Sequence, residues 1–190
     1  MAMQKSAHPS SSLLPVVKLA LLCACAAIVL AMVNEWLCVL PLGIFVACCV
    51  GAPFFPQAEF FLPVISRGCT AGAMVALTFD DGPDPATTPL LLELLEQNKV
   101  KATFFVIGEK AQGHPDLMRE IIARGHAVGN HSYRHDVLLM LRSRKKIATE
   151  IRMAQQALSA FGIKPLIFRP PVGITNPWLG AILKKYGLMT

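Results

Sequence analysis

MVALTFDDGP, residues 74–83, is the stretch whose reading decides the fold. Its first six residues are apolar and β-prone, and Asp80, Asp81, Gly82 and Pro83 follow at once. That order predicts a buried strand over 74–79 feeding a tight turn. Downstream, Thr87 or Thr88 is placed to cap a helix with Pro89 in its first turn. Leu91, Leu92, Leu94 and Leu95 carry that helix at the right spacing to about Asn98. ATFFVI (102–107) predicts a second strand, 115–124 a helix stopped by Gly125, and AVGN (127–130) a third strand. The longest helix spans about 144–161, capped by Ser143 and ended by Gly162. LIFR (166–169) reads as a fourth strand, 177–186 as a short helix, and 188–190 as the opening of a fifth strand. Strict alternation of strand and helix implies an α/β fold, a parallel sheet or barrel with helices outside. In such folds chemistry sits at the carboxyl ends of the strands. Asp80, His131 and Arg169 stand at or just after three different strand ends.

Working outward, the composition changes sharply upstream of this region. The chain has 190 residues, 54% of them hydrophobic and only 16% charged. Residues 19–33 and 36–55 carry no charge at all. The whole apolar stretch is too long for one membrane span of about 20 residues, and Asn34, Glu35 and Trp36 interrupt it near its middle. A polar pair beside a Trp suits a membrane–water interface. The reading is a two-helix transmembrane hairpin, about 13–33 and 37–55, within an N-terminal anchor of residues 1–66. Residues 67–190 then form the second domain. A cleaved signal peptide is the alternative, with Lys5 and Lys18 as its positive flank, but the second apolar run argues against it.

Charge and cysteine usage narrow the function classes. The net charge is +6. Lys5 and Lys18 cancel Glu35 and Glu59, so the excess lies after residue 66. Arg142, Arg144, Lys145 and Lys146 make its densest cluster, which suits either a solvated helix face or an anionic surface. Few aromatics and no zinc-finger or RNA-binding signature argue against nucleic acid as a partner. Cys23, Cys25, Cys38, Cys48 and Cys49 lie in the apolar region and Cys69 stands alone. No disulfide or zinc-ribbon spacing is present, so all six read as structural.

Three motifs carry chemistry. In TFDDGP (78–83) two adjacent carboxylates cannot share one direction without cost. One can bind a cation while the other handles protons, and a cation held by Asp81 would leave Asp80 available as a base. Taken alone, Asp-Asp-Gly-Pro equally fits a turn whose Asp caps the next helix. In HSYRH (131–135) two histidines four apart can share one face of a helical turn and bind one divalent metal. Two surface histidines are the plain alternative. In FRPPVG (168–173) Arg169 can hold a carboxylate, and the backbone N–H of Val172 or its neighbour can face a developing oxyanion. By itself that segment is a loop with a structural Arg.

The ordered set TFDDGP, HSxxH and RPPxG resembles the polysaccharide deacetylase (NodB-homology) family, carbohydrate esterase family 4-like, from about Met74 to Thr190. The resemblance implies a distorted (β/α) barrel, here C-terminally incomplete and preceded by the hairpin. It implies that Asp81, His131 and His135 hold a divalent metal, usually Zn2+. It makes Asp80 the general base, Arg169 the residue that orients Asp80, and the Val172 amide an oxyanion donor. The reaction implied is hydrolysis of an acetamido group on an N-acetylated glycan. Two departures stand out. Family members usually carry an aromatic residue where Val172 stands. The family's later motifs, one with Asp and Trp and one ending in the general-acid His, do not occur before Thr190. The expectation is therefore a fragment or truncated product with poor activity alone. His114 and His126, expected at the surface, do not replace that acid. Alternatives are a deacylase of a lipid-linked sugar and a non-catalytic membrane protein. The expected location is the cell membrane, two-pass, with the side of the catalytic domain open. Lys5 and Lys18 favour a cytoplasmic N-terminus.

Overall fold

The computed structural model describes residues 14–52, 55, 58–65 and 74–190. Lys5, Cys69 and the expected boundary between Ser66 and Arg67 lie outside the described residues. The chain divides into two compact units, Met1–Ala71 and Gly72–Thr190.

In the first unit, α1 (Pro15–Val33) and α2 (Val39–Gly51) pack on each other. Pro15 opens α1, where its missing N–H costs nothing. Asn34 ends it in extended backbone, and its side chain accepts the Trp36 N–H at 3.0 Å. A 3-10 turn, Glu35–Cys38, leads into α2. The buried face of this pair is made of small residues, Cys23, Ala27 and Pro41, which allow close approach. Among the described helices only α1 is long and apolar enough to cross a membrane, with a mean hydropathy of 2.7. The second apolar stretch, Glu35–Gly51, is shorter and ends before the expected residue 55.

In the second unit the helices are α3 (Thr88–Gln97), α4 (Gly108–Gly113), α5 (Pro115–Ala123), α6 (Arg144–Ser159) and α7 (Leu179–Tyr186). The strands β1 (Thr78–Gly82), β2 (Thr103–Val106) and β3 (Ala127–Asn130) form a parallel sheet in the order β1-β2-β3. Isolated parallel bridges, Asn130 to Phe168 and Ile167 to Met189, extend the array in the same direction. The described strands thus form an open parallel array, and none of them pairs with the far edge of β1. Leu92, Leu95, Phe104, Val106, Met118, Ile121 and Leu158 form the core under α3, α5 and α6.

Several expectations need correction. The first strand does not lie over 74–79 and is not buried. Met74, Val75 and Leu77 are exposed, and the strand begins at Thr78 and runs through both aspartates. It lies at an edge of the described sheet, paired on one side only. The fourth and fifth strands shrink to single bridges. Pro165 and Pro170 bracket the fourth segment and have no N–H to add to a ladder. The short helix α4 was not expected from periodicity. Thr87 occupies the N-cap position of α3 but makes no side-chain capping bond, and Thr88 Oγ1 accepts the Asp84 N–H at 2.8 Å. Asp84 Oδ1 accepts the N–H groups of Ala86 and Thr87, each at 3.0 Å. The backbone bond from Thr87, with the Thr87 hydroxyl behind it, holds the Asp84 carboxyl below the usual range. Ser143 does cap α6, its Oγ accepting the Lys146 N–H at 3.3 Å.

His126, expected at the surface, is buried at the amino end of the sheet. Its ring meets Phe104 edge-on at 5.3 Å, and its Nδ1 accepts the Ala102 N–H at 3.2 Å. Burial, with Lys101 and Arg124 nearby, pushes its pKa below the ordinary 6.5. The unfolded chain therefore takes up this proton more readily than the native one. The stability contribution is complete above about pH 6.5 and is lost as pH falls from there through the folded-state value. The urea midpoint should drop between pH 7 and pH 5. A His126→Gln variant should show a shallower pH slope, and an unchanged slope would remove His126 as the cause.

Candidate metal centre

The site begins with a register shift. Thr78 and Phe79 pair with Thr103 and Phe104, but Gly82 pairs with Val106. Three steps on β1 therefore match two on β2, and the extra residue falls at the aspartates. Such a bulge re-aims side chains. Asp81 takes a left-handed φ of 66°, so the adjacent carboxylates diverge. Asp80 turns to Arg169, whose Nη1 donates to Asp80 Oδ1 at 2.7 Å and to Thr78 Oγ1 at 3.0 Å. Asp81 turns to the histidines, with its Oδ1 3.4 Å from His131 Nε2 and 3.1 Å from His135 Nε2. The helix-capping alternative for Asp80 and Asp81 is excluded, because Asp84 fills that role.

The two histidines do not share a helical turn, contrary to expectation. They stand on a loop in which Ser132 and His135 have φ of 64° and 54°. Side chains hold this loop. Asn130 Oδ1 accepts the Ser132 N–H at 2.9 Å, and Ser132 Oγ accepts the His135 N–H at 3.1 Å. Glu150 Oε2 accepts the Arg134 N–H at 2.9 Å. The result is two rings with centroids 4.8 Å apart, tilted toward one point.

His131 is almost fully buried. Its Nδ1 lies 2.8 Å from the Arg169 carbonyl oxygen. That oxygen only accepts, so Nδ1 carries the proton and Nε2 keeps its lone pair. Burial pushes the His131 pKa down, and His135 pushes the same way; the Arg169 carbonyl and both carboxylates oppose them. A neutral ring is the form that binds a metal.

Asp81, His131 and His135 fit a divalent cation. Their donor atoms all lie within 4.8 Å of one another. A tetrahedral ion with bonds of 2.0–2.1 Å has donors about 3.3 Å apart, close to the two measured Asp–His distances. Val172, the remaining predicted site residue, lies three residues past Arg169 with φ 51° and an exposed side chain. No acceptor among the described residues takes its N–H.

Four supporting residues were missed. Phe105 lies under the Arg169 guanidinium, 4.0 Å from ring centroid to Cζ. Lys110 Nζ donates to the Asp81 carbonyl at 2.8 Å. Asn130 and Glu150 hold the histidine loop. The signal for Glu150 was present in the sequence: a carboxylate among Ile147, Ile151 and Ala154 on the buried stripe of α6. For Lys110, which reaches the Asp81 carbonyl from α4, no sequence spacing gives a signal.

The family model described as polysaccharide deacetylase matches residues 67–190. The peptidoglycan-N-acetylglucosamine deacetylase of Bacillus cereus is 38% identical over 117 residues, covering 62% of this chain and 54% of that protein. Chitin deacetylase 1 of Saccharomyces cerevisiae is 40% identical over 112 residues, covering 58% and 36%. A family 4 carbohydrate esterase from Streptomyces lividans, solved with acetate, superposes with a TM-score of 0.59 at 40% identity, covering 63% of this chain and 62% of that one. The chain spans about half the length, or less, of these curated relatives.

The geometry sets an expectation for metal binding. Asp81→Ala, His131→Ala and His135→Ala should each weaken Co2+ binding by about tenfold or more. Arg169→Met keeps the backbone carbonyl that orients His131 and should stay within about threefold on the same scale. Cobalt absorbance titration reads both, and tight binding by the Asp81 variant would remove it from the ligand set.

Proposed function

The chain belongs to the polysaccharide deacetylase family, and from that premise we propose that it hydrolyses the acetamido group of N-acetylated sugars. Water adds to the acetamido carbonyl, the C–N bond breaks, acetate leaves and a free amine remains on the sugar. The observation that carries this reading is the convergence of Asp81, His131 and His135 on one point, beside an aspartate held by Arg169. We assign residues 67–190 as the catalytic domain and residues 1–66 as its membrane anchor.

Each residue then has a task. Asp81 and the Nε2 atoms of His131 and His135 hold a divalent cation, which we take to be Zn2+. When bound, such a cation acidifies water and polarises an amide carbonyl. Asp80 takes the proton of the attacking water. Arg169 keeps that carboxylate aimed through a short ionic hydrogen bond. The Val172 N–H is the candidate donor to the oxyanion. The relatives named above act on peptidoglycan N-acetylglucosamine and on chitin, so N-acetylglucosamine polymers are the first substrates to try. The 19-residue apolar helix α1 favours a second reading, a lipid-linked N-acetylated sugar at the membrane surface.

The test is acetate release from N-acetylglucosamine oligomers by the full-length protein loaded with Zn2+. Asp80→Asn should lower kcat by about 10²–10⁴-fold while zinc content stays unchanged. A protein that binds zinc yet releases no acetate from free or lipid-linked substrates would leave the non-catalytic reading instead. Membrane attachment is checked separately. The protein should remain in the membrane fraction after carbonate extraction with an intact N-terminus. Recovery in soluble form with residues 1–33 removed would establish a cleaved signal instead.

A further inference from the structure

Glu150 is out of place on its helix. The buried face of α6 comprises Ile147, Glu150, Ile151, Ala154, Ala157 and Leu158, and Glu150 is 1% exposed among them. A buried carboxylate is costly unless paired and hydrogen-bonded. Here both oxygens are used. Oε1 takes Lys146 Nζ at 2.7 Å, one turn back on the same helix. Oε2 reaches off the helix to the Arg134 N–H at 2.9 Å. An apolar residue at this position would fill the same stripe but could not accept that N–H.

The bond matters because of where Arg134 stands. It lies between Ser132 and His135, both in left-handed backbone that non-glycine residues avoid. Three side-chain acceptors take backbone N–H groups of this loop. Asn130 and Ser132 belong to the loop's own segment, separated from their donors by two and three residues. Of these three acceptors Glu150 alone, sixteen residues away, stands on a helix of the core, while Gly108 and Glu109 of α4 donate their N–H groups to the Ser132 and Tyr133 carbonyls at 3.0 and 2.9 Å. The residue immediately after the anchored N–H carries a metal ligand, Nε2 of His135.

We propose that Glu150 is a positioning residue for the metal site. It works as a hydrogen-bond acceptor that fixes the His135 end of the loop, with Lys146 compensating its buried charge. The inference rests on the metal site proposed above and deepens it. Its physical content is reach, not charge: the loop needs an acceptor at the length of a Glu side chain. Supports behind metal ligands typically change metal affinity by about 10–100-fold when removed.

Two conservative variants separate reach from charge. Glu150→Gln keeps an oxygen at the same distance and loses the charge. Glu150→Asp keeps the charge and falls short of Arg134. Zn2+ affinity of the full chain in detergent is measured by competition with a chromophoric chelator, with circular dichroism and melting recorded for each variant. The expected result is Glu150→Gln within about threefold of the parent and Glu150→Asp weaker by about tenfold or more, on the scale of outer-shell losses. Equal affinities in all three proteins, equal losses in both variants, or a tighter Asp than Gln variant would each overturn the proposal. An Asp variant that does not fold would overturn it as well, by assigning Glu150 to the fold. If the parent itself binds no Zn2+, the metal-site reading fails first and is recognised as a separate failure.

Discussion

The site depends on backbone held where L-residues seldom go. Among the described residues six non-glycines have φ in the left-handed region, and four of them are Asp81, Ser132, His135 and Val172. Each such conformation costs on the order of 1 kcal/mol or more and persists only where surrounding contacts over-determine it. The contacts are visible at three of the four. Lys110 holds the Asp81 carbonyl, Asn130 holds the Ser132 N–H, and Ser132 Oγ holds the His135 N–H. Successive strand residues alternate faces, and the left-handed turn at Asp81 departs from that alternation, with Asp80 on Arg169 and Asp81 on the two histidines.

Those contacts in turn rest on close packing at the sheet and beneath α6. Gly129 in β3 faces the Phe105 ring, and a Cβ there would lie 2.5 Å from a ring carbon. Phe105 supports the Arg169 guanidinium, which holds Asp80. The absence of a side chain at Gly129 therefore bears on the placement of the Asp80 carboxylate, three contacts away. Gly108 plays the same part at the head of α4. A Cβ there would meet the Tyr133 ring at 2.8 Å and the Ala154 backbone at 2.9 Å. The bare Gly108 lets Tyr133 of the histidine loop and Ala154 of α6 close on the head of α4, and Asn130 Nδ2 reaches the Ile151 carbonyl of α6 at 3.1 Å.

The sequence was legible where one local pattern determines the outcome. The αβ alternation, the parallel direction, the Ser143 cap and the ends of the strands as the place of chemistry follow from periodicity and turn residues. The residues at the site were legible as types: paired carboxylates, two histidines, an Arg before Pro-Pro. Their geometry was not. Spacing of four suggested a helical turn for His131 and His135, because i,i+4 is read most simply that way. The loop that forms instead is dictated by Asn130 and Glu150, acceptors that periodicity alone does not connect to it. The misplacement of the first strand has a similar origin. Residues 74–77 are apolar enough for a buried strand, but strand pairing starts at Thr78, where β2 supplies a partner. His126 was misjudged for a third reason. A histidine of average character becomes buried when one ring nitrogen can accept a backbone N–H, and that acceptor role depends on Ala102, 24 residues earlier.

Arg169 joins the two halves of the site into one mechanical unit. Its side chain holds Asp80, and its carbonyl receives the Nδ1–H of His131. A lysine could neutralise Asp80, but it lacks the flat guanidinium that lies on Phe105 while donating to Asp80 and Thr78. The Pro170-Pro171 pair that follows restricts the backbone on the far side of that carbonyl. Orientation of the Asp80 carboxylate and the tautomer of His131 therefore come from the same residue, anchored by the bridge between Asn130 and Phe168. A displacement of this segment moves both at once. The Asp80 carboxylate is thus held apart from that of Asp81 from across the sheet, by a residue 89 positions away in the chain.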